Sequence, residues 1–319
     1  MMRIQSLRSS CNTLTAGHLH SLEDAVLVSS PSAAFLNSST SISALNRVTQ
    51  TTPAMPSLKS LIIGQLSVHR RPFSLSDFPW KQLKRLALDT SPVSQCASIV
   101  SWCVQLEHIA LTFGSCDSLP SVSIVSQTIT SATLNWAEEG CEKLFSLLQF
   151  PQLHTLESEC CHLPADSTYP FITYSPTITN LFLKDLRSNH GLLVLLGLLP
   201  TVTHLSFRNS WRQIQIKTLL DFFSKLHPTD PQSGTLLPRL THFDMLLTVA
   251  CVKTGPSLAT AFVEMVKSRV TENWSEQQLK SVRFSVPNCC LNHELISSLA
   301  YLLKVGIAIS IQDRCGFIL

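Results

Sequence analysis

Two short clusters carry residue types that hold metal ions, Cys160-Cys161-His162 and Cys289-Cys290-x-x-His293. Thiolate and imidazole are the usual zinc ligands. A structural zinc site, however, usually joins a closely spaced cysteine pair to a second pair at a distance. Adjacent cysteines on an extended chain point to opposite sides, and neither cluster has a second pair placed to complete it. His18-x-His20 with Glu23 is weaker and reads as a solvated loop. The sequence has no G-x-S-x-G elbow for a nucleophilic serine. With 10 glycines and neither G-x-G-x-x-G nor G-x4-G-K-[ST], it has no loop for cradling phosphates. The expectation is a protein that is not an enzyme, with no catalytic residue, no metal and no cofactor. An enzyme built on a Cys/His site is a remote alternative, and would need a thiol and an imidazole within hydrogen-bond reach.

The chemistry that remains is recognition, and a repeat supplies the elements for it. The phrase L-x-x-L-x-L recurs as Leu58-Lys-Ser-Leu61-Ile-Ile63, Leu83-Lys-Arg-Leu86-Ala-Leu88 and Leu106-Glu-His-Ile109-Ala-Leu111. It continues with Ile129-Thr-Ser-Ala132-Thr-Leu134, Leu153-His-Thr-Leu156-Glu-Ser158, Ile178-Thr-Asn-Leu181-Phe-Leu183 and Val202-Thr-His-Leu205-Ser-Phe207. The first anchors stand at 58, 83, 106, 129, 153, 178 and 202, giving steps of 25, 23, 23, 24, 25 and 24. Leu240 and Leu279 open two more phrases at steps of 38 and 39. A period of 20 to 29 residues with this spacing is the pattern of a leucine-rich repeat.

One such strand cannot bury its apolar face alone, so the coils stack and pair their strands in parallel. The expected fold is an α/β leucine-rich-repeat solenoid, a horseshoe with a parallel sheet on the concave face and helices on the convex face. Strands are expected at 60–63, 85–88, 108–111, 131–134, 155–158, 180–183, 204–207, 242–245 and 281–284. The phrase at Leu22, a fragment at 4–7 and an alternating stretch at 305–311 extend the pattern. Residues 1–319 are read as one solenoid. Residues 1–57 hold degenerate repeats and a Ser/Thr-rich loop, 58–207 the regular repeats, and 208–319 longer repeats and a cap. Loops are expected at 29–54 and 229–234.

Helices are expected between the phrases. Leu219, Leu220, Phe222, Phe223 and Leu226 form one stripe, ending before His227-Pro228. Leu258, Ala261, Phe262, Met265 and Val266 form a second, after Pro256 in a first turn. Leu295, Ile296, Leu299, Leu302 and Leu303 form a third, with Asn292 as its N-cap. The run from 191 to 199 is too short to cross a bilayer and is expected against the sheet.

Alternation along each strand points the third, fifth and seventh residues of a phrase outward. The candidate partner-binding face is therefore Arg85, Asp89, His108, Asn135, Glu157, Glu159, Asn180, Phe182, Lys184, His204, Arg208, His242, Asp244 and Arg283. It is polar and of mixed charge, with one outward aromatic ring. A ladder ion pair of Glu159 with Lys184 is expected on it. A formal net charge of +3, from 24 basic and 21 acidic residues, does not favour nucleic acid. No stretch approaches the ~18 apolar residues of a membrane span, and the first residues have no secretory apolar core. The expectation is a cytoplasmic or nuclear protein with a protein target, no nucleic acid and no membrane. Its 11 cysteines are then reduced. As a group they are expected to be small buried side chains, Cys103 among them.

Leu199-Pro-Thr-Val-Thr-His-Leu-Ser-Phe207 and Leu237-Pro-Arg-Leu-Thr-His-Phe-Asp-Met245 resemble the leucine-rich-repeat part of fungal F-box proteins, especially those of mushroom-forming fungi. So do Phe262-Val-Glu-Met-Val-Lys-Ser-Arg269, Leu279-Lys-Ser-Val-Arg-Phe284 and Gly306-Ile-Ala-Ile-Ser-Ile311. The resemblance covers residues 14–319. It implies the target-recognition part of a substrate receptor in a ubiquitin ligase, where an F-box docks on a Skp-type adaptor and the repeats hold the target. No F-box is read in this sequence, so the adaptor is expected as a partner only if an upstream F-box exists. The alternative is a free-standing repeat scaffold or inhibitor with no ligase link.

Overall fold

A computed structural model of the chain describes residues 24–28, 57–64, 79–89, 93–113, 123–136, 147–159, 170–185, 192–209, 216–227, 236–247, 255–271, 279–285, 293–304, 306–313 and 316–317. The loops expected at 29–54 and 229–234 and the fragment at 4–7 lie outside the described residues. So do Asn292, the clusters at 160–162 and 18–20, and cysteines 289 and 290.

The architecture is mixed α/β, built on parallel strands, and the chain divides into two compact units, 1–152 and 153–319. In the first unit, β1 (Asp24–Val28), β2 (Ser60–Gly64), β3 (Arg85–Leu88), β4 (His108–Phe113) and β6 (Ser131–Trp136) pair in that order, all parallel. Two short strands, β5 (Ile124–Val125) and β7 (Leu148–Gln149), pair separately. A 3-10 turn at Trp80–Gln82 and helix α1 (Val93–Trp102) complete the described part.

In the second unit, β8 (Thr155–Glu159), β9 (Asn180–Lys184), β10 (His204–Asn209), β11 (His242–Leu247), β12 (Ser281–Ser285) and β13 (Ala308–Asp313) form the parallel set. A short β14 (Gly316–Phe317) runs antiparallel along β13. The helices are α2 (Pro170–Thr173), α3 (Leu192–Gly197), α4 (Ile216–Leu226), α5 (Gly255–Thr271) and α6 (His293–Lys304).

Each of the nine expected strands begins at the expected residue and runs parallel to its neighbours within its own unit. The register explains why. Anchor faces anchor, as in Leu61↔Leu86 and Leu86↔Ile109, and in Leu181↔Leu205 and Leu205↔Phe243. A slip of one residue would turn every anchor to water. The opening anchors Leu58, Leu83, Leu106, Ile129, Leu153, Ile178, Val202, Leu240 and Leu279 are all buried.

Polar columns hold the turn into each strand. The residue after the opening anchor offers its carbonyl to two amides of the next coil. Lys84 and Arg85 donate to Lys59 at 2.8 and 3.0 Å, and Thr203 and His204 donate to Thr179 at 2.8 and 3.0 Å. Threonine side chains repeat the pattern. The Oγ1 of Thr130, Thr179, Thr203 and Thr241 donates to the carbonyl of Glu107, His154, Thr179 and Thr203. One position before the anchor, Thr128, Thr177 and Thr201 donate to the carbonyls of Leu106, Leu153 and Ile178, each at 2.8 Å. These bonds are worth about 0.5–1.5 kcal/mol net each.

The helices cover the anchor side. Leu192, Leu195 and Leu196 of α3 are buried, as the run from 191 to 199 suggests. In the longer coils, Phe222 and Phe223 of α4 and Phe262 of α5 meet Phe243 of β11 and Phe284 of β12, with Phe262 and Phe284 stacked at 4.0 Å. Arg269 of α5 is also buried, at 8% exposed. Its Nε donates to the Leu226 carbonyl at 2.8 Å, its Nη1 to Leu237 at 3.1 Å and its Nη2 to Leu236 at 2.6 Å. Leu226 ends α4, so the guanidinium sits at the negative pole of that helix. Burial pushes its pKa down to about 10, which leaves it charged at neutral pH.

The stripe expected on α6 is corrected in part. Leu299 and Leu302 are buried, but Ile296 and Leu303 are 37% and 40% exposed. The core side takes a narrower strip of this helix than its apolar residues suggest.

Candidate functional site

Alternation sorts the strand residues as the phrase requires. In the second unit, β8 and β9 bury their second and fourth residues and leave the first, third and fifth half-buried. Three outward rows result. The first holds Thr155, Asn180, His204, His242 and Ser281; the second Glu157, Phe182, Ser206, Asp244 and Arg283; the third Glu159, Lys184, Arg208, Leu246 and Ser285.

In the first row, Asn180 Nδ2 donates to Thr155 Oγ1 at 3.3 Å. The rings of His204 and His242 stack, with centroids 4.0 Å apart and planes 6° from parallel. Each Nδ1 lies beside the Oγ1 of the preceding threonine, at 2.8 Å from Thr203 and 2.9 Å from Thr241. Burial, and to a lesser extent the neighbouring His242, lowers the pKa of His204 from the usual imidazole value.

The other two rows carry charge. Lys184 Nζ pairs with Glu157 Oε1. The expected partner was Glu159, which stands directly across from Lys184. The long lysine stem reaches back diagonally instead. Arg208 Nη2 lies 3.7 Å from Asp244 Oδ2, and Ser206 Oγ donates to that same oxygen at 3.2 Å. Asp244 Oδ1 is buried without a hydrogen-bond partner. Glu157, Phe182, Leu183, Lys184, Ser206 and Arg208 line a shallow depression of about 220 Å³. Its lining mixes the Phe182 ring with polar groups of both signs of charge. That suits a peptide or protein surface better than a small metabolite, which usually needs a deeper, enclosed pocket.

The first unit presents a different face. Its outer rows hold Arg85 with His108, and Thr112 with Asn135, while Asp89 follows the end of β3 and is exposed. The middle row is Ile62, Ala87, Ala110 and Thr133. Ile62 is 42% exposed, so this strip is apolar and small. At the strand entry, Lys84 Nζ lies 2.6 Å from Glu107 Oε1, and this hydrogen bond is the main cause of the lowered Glu107 pKa.

Every residue of the expected face that lies on a strand thus sits at an outward position of its own sheet. Anchor spacing did not reveal the threonine columns or the apolar strip. The threonines could have been found, because Thr flanks the opening anchor at Ile129, Ile178, Val202 and Leu240. Among the described residues, no three His, Cys, Asp or Glu side chains gather to hold a metal, and no helix is long and apolar enough to cross a membrane. No family model matches the chain, and no curated protein matches it.

Proposed function

We propose that this chain is a protein-interaction module, a leucine-rich-repeat solenoid that holds its target on the concave face of its sheet. On this reading it is the target-recognition part of an F-box-type ubiquitin-ligase substrate receptor of the cytoplasm or nucleus. The repeat period and the anchor-to-anchor parallel register support the solenoid. One observation supports the binding role most: the outward rows of β8 to β12, where charge of both signs surrounds the half-buried ring of Phe182. Residues with no duty in the core are free to be chosen for a partner. Opposite charges placed this way set encounter rate and orientation more than raw affinity.

Co-precipitation tests the reading. The tagged chain should capture a specific protein from its own cells, identified by mass spectrometry. Residues 1–319 alone should not retain a Skp-type adaptor, because no F-box phrase is read among them. The adaptor should appear when an F-box is joined upstream. Strong adaptor binding by residues 1–319 would contradict this division of labour. A captured protein that escapes ubiquitination by the F-box-joined chain would favour the free-standing scaffold.

A further inference from the structure

We propose that the outward face of the second unit takes an extended peptide segment crossing β8 to β12, with a basic side chain on Glu159, an apolar one on Phe182 and an acidic one on Arg283. The inference rests on the interaction reading above and names the chemistry of the segment held. Most charges on this face are already matched. Lys184 pairs with Glu157, and Arg208 lies 3.7 Å from Asp244. Two are not. Glu159 stands across from Lys184, whose ammonium is taken by Glu157. Arg283 stands across from Asp244, whose carboxylate faces Arg208 and Ser206 instead. The side chains of Glu159 and Arg283 have no ion-pair or hydrogen-bond partner among the described residues. Glu159 is half-buried and Arg283 exposed.

Their separation sets the ligand. β8 and β12 are four strand steps apart in the sheet order, or ~19 Å at ~4.8 Å per step. Glu159 also stands one outward row beyond Phe182 and Arg283, another ~6.6 Å along the strand. At the backbone the two charges are therefore ~20 Å apart, and Phe182 is ~8 Å from Glu159. An extended chain advances ~3.3 Å per residue and points alternate side chains the same way. Its residues i, i+2 and i+6 face one side at ~0, ~7 and ~20 Å. Those are the places of Glu159, Phe182 and Arg283.

The relief of the face favours a single strand over a helix. Phe182 is half-buried in a depression of about 220 Å³. That space seats one apolar side chain, whereas a helix with its side chains is about 10–12 Å wide. A helix would also need about thirteen residues to cover the same span at ~1.5 Å per residue. Beyond Phe182 the segment passes Ser206 and Asp244 in the same row, so a polar residue suits i+4. All three contacts are to side chains, so the segment fits in either chain direction, counted from its basic residue.

A phage library of random hexadecapeptides tests this on the full chain with its thiols kept reduced. Multivalent display retains weak binders. Enriched peptides should carry a basic residue, an apolar residue two places away and an acidic residue six places away. A synthetic peptide of the enriched sequence should bind E159K and R283E about five-fold more weakly than wild type, the scale of an exposed ion pair. Changing its basic residue to glutamate should restore binding to E159K, and changing its acidic residue to lysine should restore binding to R283E. Selection on F182A should lose the preference for the apolar residue. Far-UV circular dichroism confirms that each variant is folded. Peptides held equally by wild type, E159K and R283E but lost in K184E/R208E overturn the crossing segment and leave the outward-face reading standing. Peptides indifferent to all four reversals overturn both. Opposite charges about thirteen places apart, as a helix requires, or no enrichment at all, also overturn the extended segment.

Discussion

At the scale of single residues, neighbours in one strand face opposite worlds, and stability should record it. Leu181 is fully buried, while Phe182 points outward. Leu181→Ala should cost about 2–5 kcal/mol through lost burial and the cavity it leaves. Phe182→Ala should cost much less, although it removes more atoms. Thermal melts of the two variants decide it, and equal losses would mean a register wrong by one residue. Cys103 makes a second residue-scale case. It is 2% exposed, and burial pushes its thiol from the ordinary 9.0 up to about 12. The folded chain therefore keeps this proton where the unfolded chain loses it. The resulting stability is complete below pH 9 and drains away as pH rises towards 12. The unfolding free energy from denaturant titration should fall by about 1.4 kcal/mol per pH unit between pH 9 and 12 from this group alone. The Cys103→Ala variant should lack that contribution. Both Cys96 and Cys103 should resist iodoacetamide until the chain unfolds. The residue scale is also where sequence reading reached least. The expected face contains His204 and His242, but nothing linear shows that residues 38 apart stack at 4.0 Å.

At the scale of elements, strands were far more legible than helices. A strand here is set by three anchors in six residues, and the coil period repeats the message, so local signal and stacking agree. Helices answer to a partner surface that the sequence does not display. Leu303 of α6 is as apolar as its neighbours, yet it stays exposed because the core beside it is already filled by Leu299 and Leu302. Arg269 was likewise invisible, since its partners are backbone carbonyls, which carry no sequence signal. It joins the end of α4 to the turn that precedes β11. In that turn Leu237 holds a left-handed φ of 52°, an unfavourable conformation for a residue with a branched side chain. Arg269→Met should leave the carbonyls of Leu226 and Leu236 without donors, at about 1–3 kcal/mol for each one left unpaired, while Leu237 keeps the Leu240 amide. Urea unfolding should show a loss of at least about 2 kcal/mol, and protease should cut first between α4 and β11. A loss under about 1 kcal/mol would mean that water satisfies the same carbonyls. The longer steps to Leu240 and Leu279 thus do more than extend loops, because they bring in the aromatic packing of α4 and α5.

At the scale of the whole molecule, the proposed role rests on residues that fold does not need. The ion pairs of the second unit are half-exposed, and the Arg208–Asp244 contact is long at 3.7 Å. Pairs of this kind contribute about 0–1 kcal/mol to stability, so reversing their charges probes binding without unfolding the chain. The period made the strands and their outward residues readable. The identity of the target was not readable, because outward positions vary without disturbing the coil. The most direct measurement is the affinity of the co-precipitated partner for wild type and for the double variant K184E/R208E, taken at low and at physiological salt. The outward-face account predicts weaker binding of the variant, a slower association rate, and a smaller gap between the two proteins as salt rises. Equal affinities at both salt concentrations, with the variant folded, would contradict it.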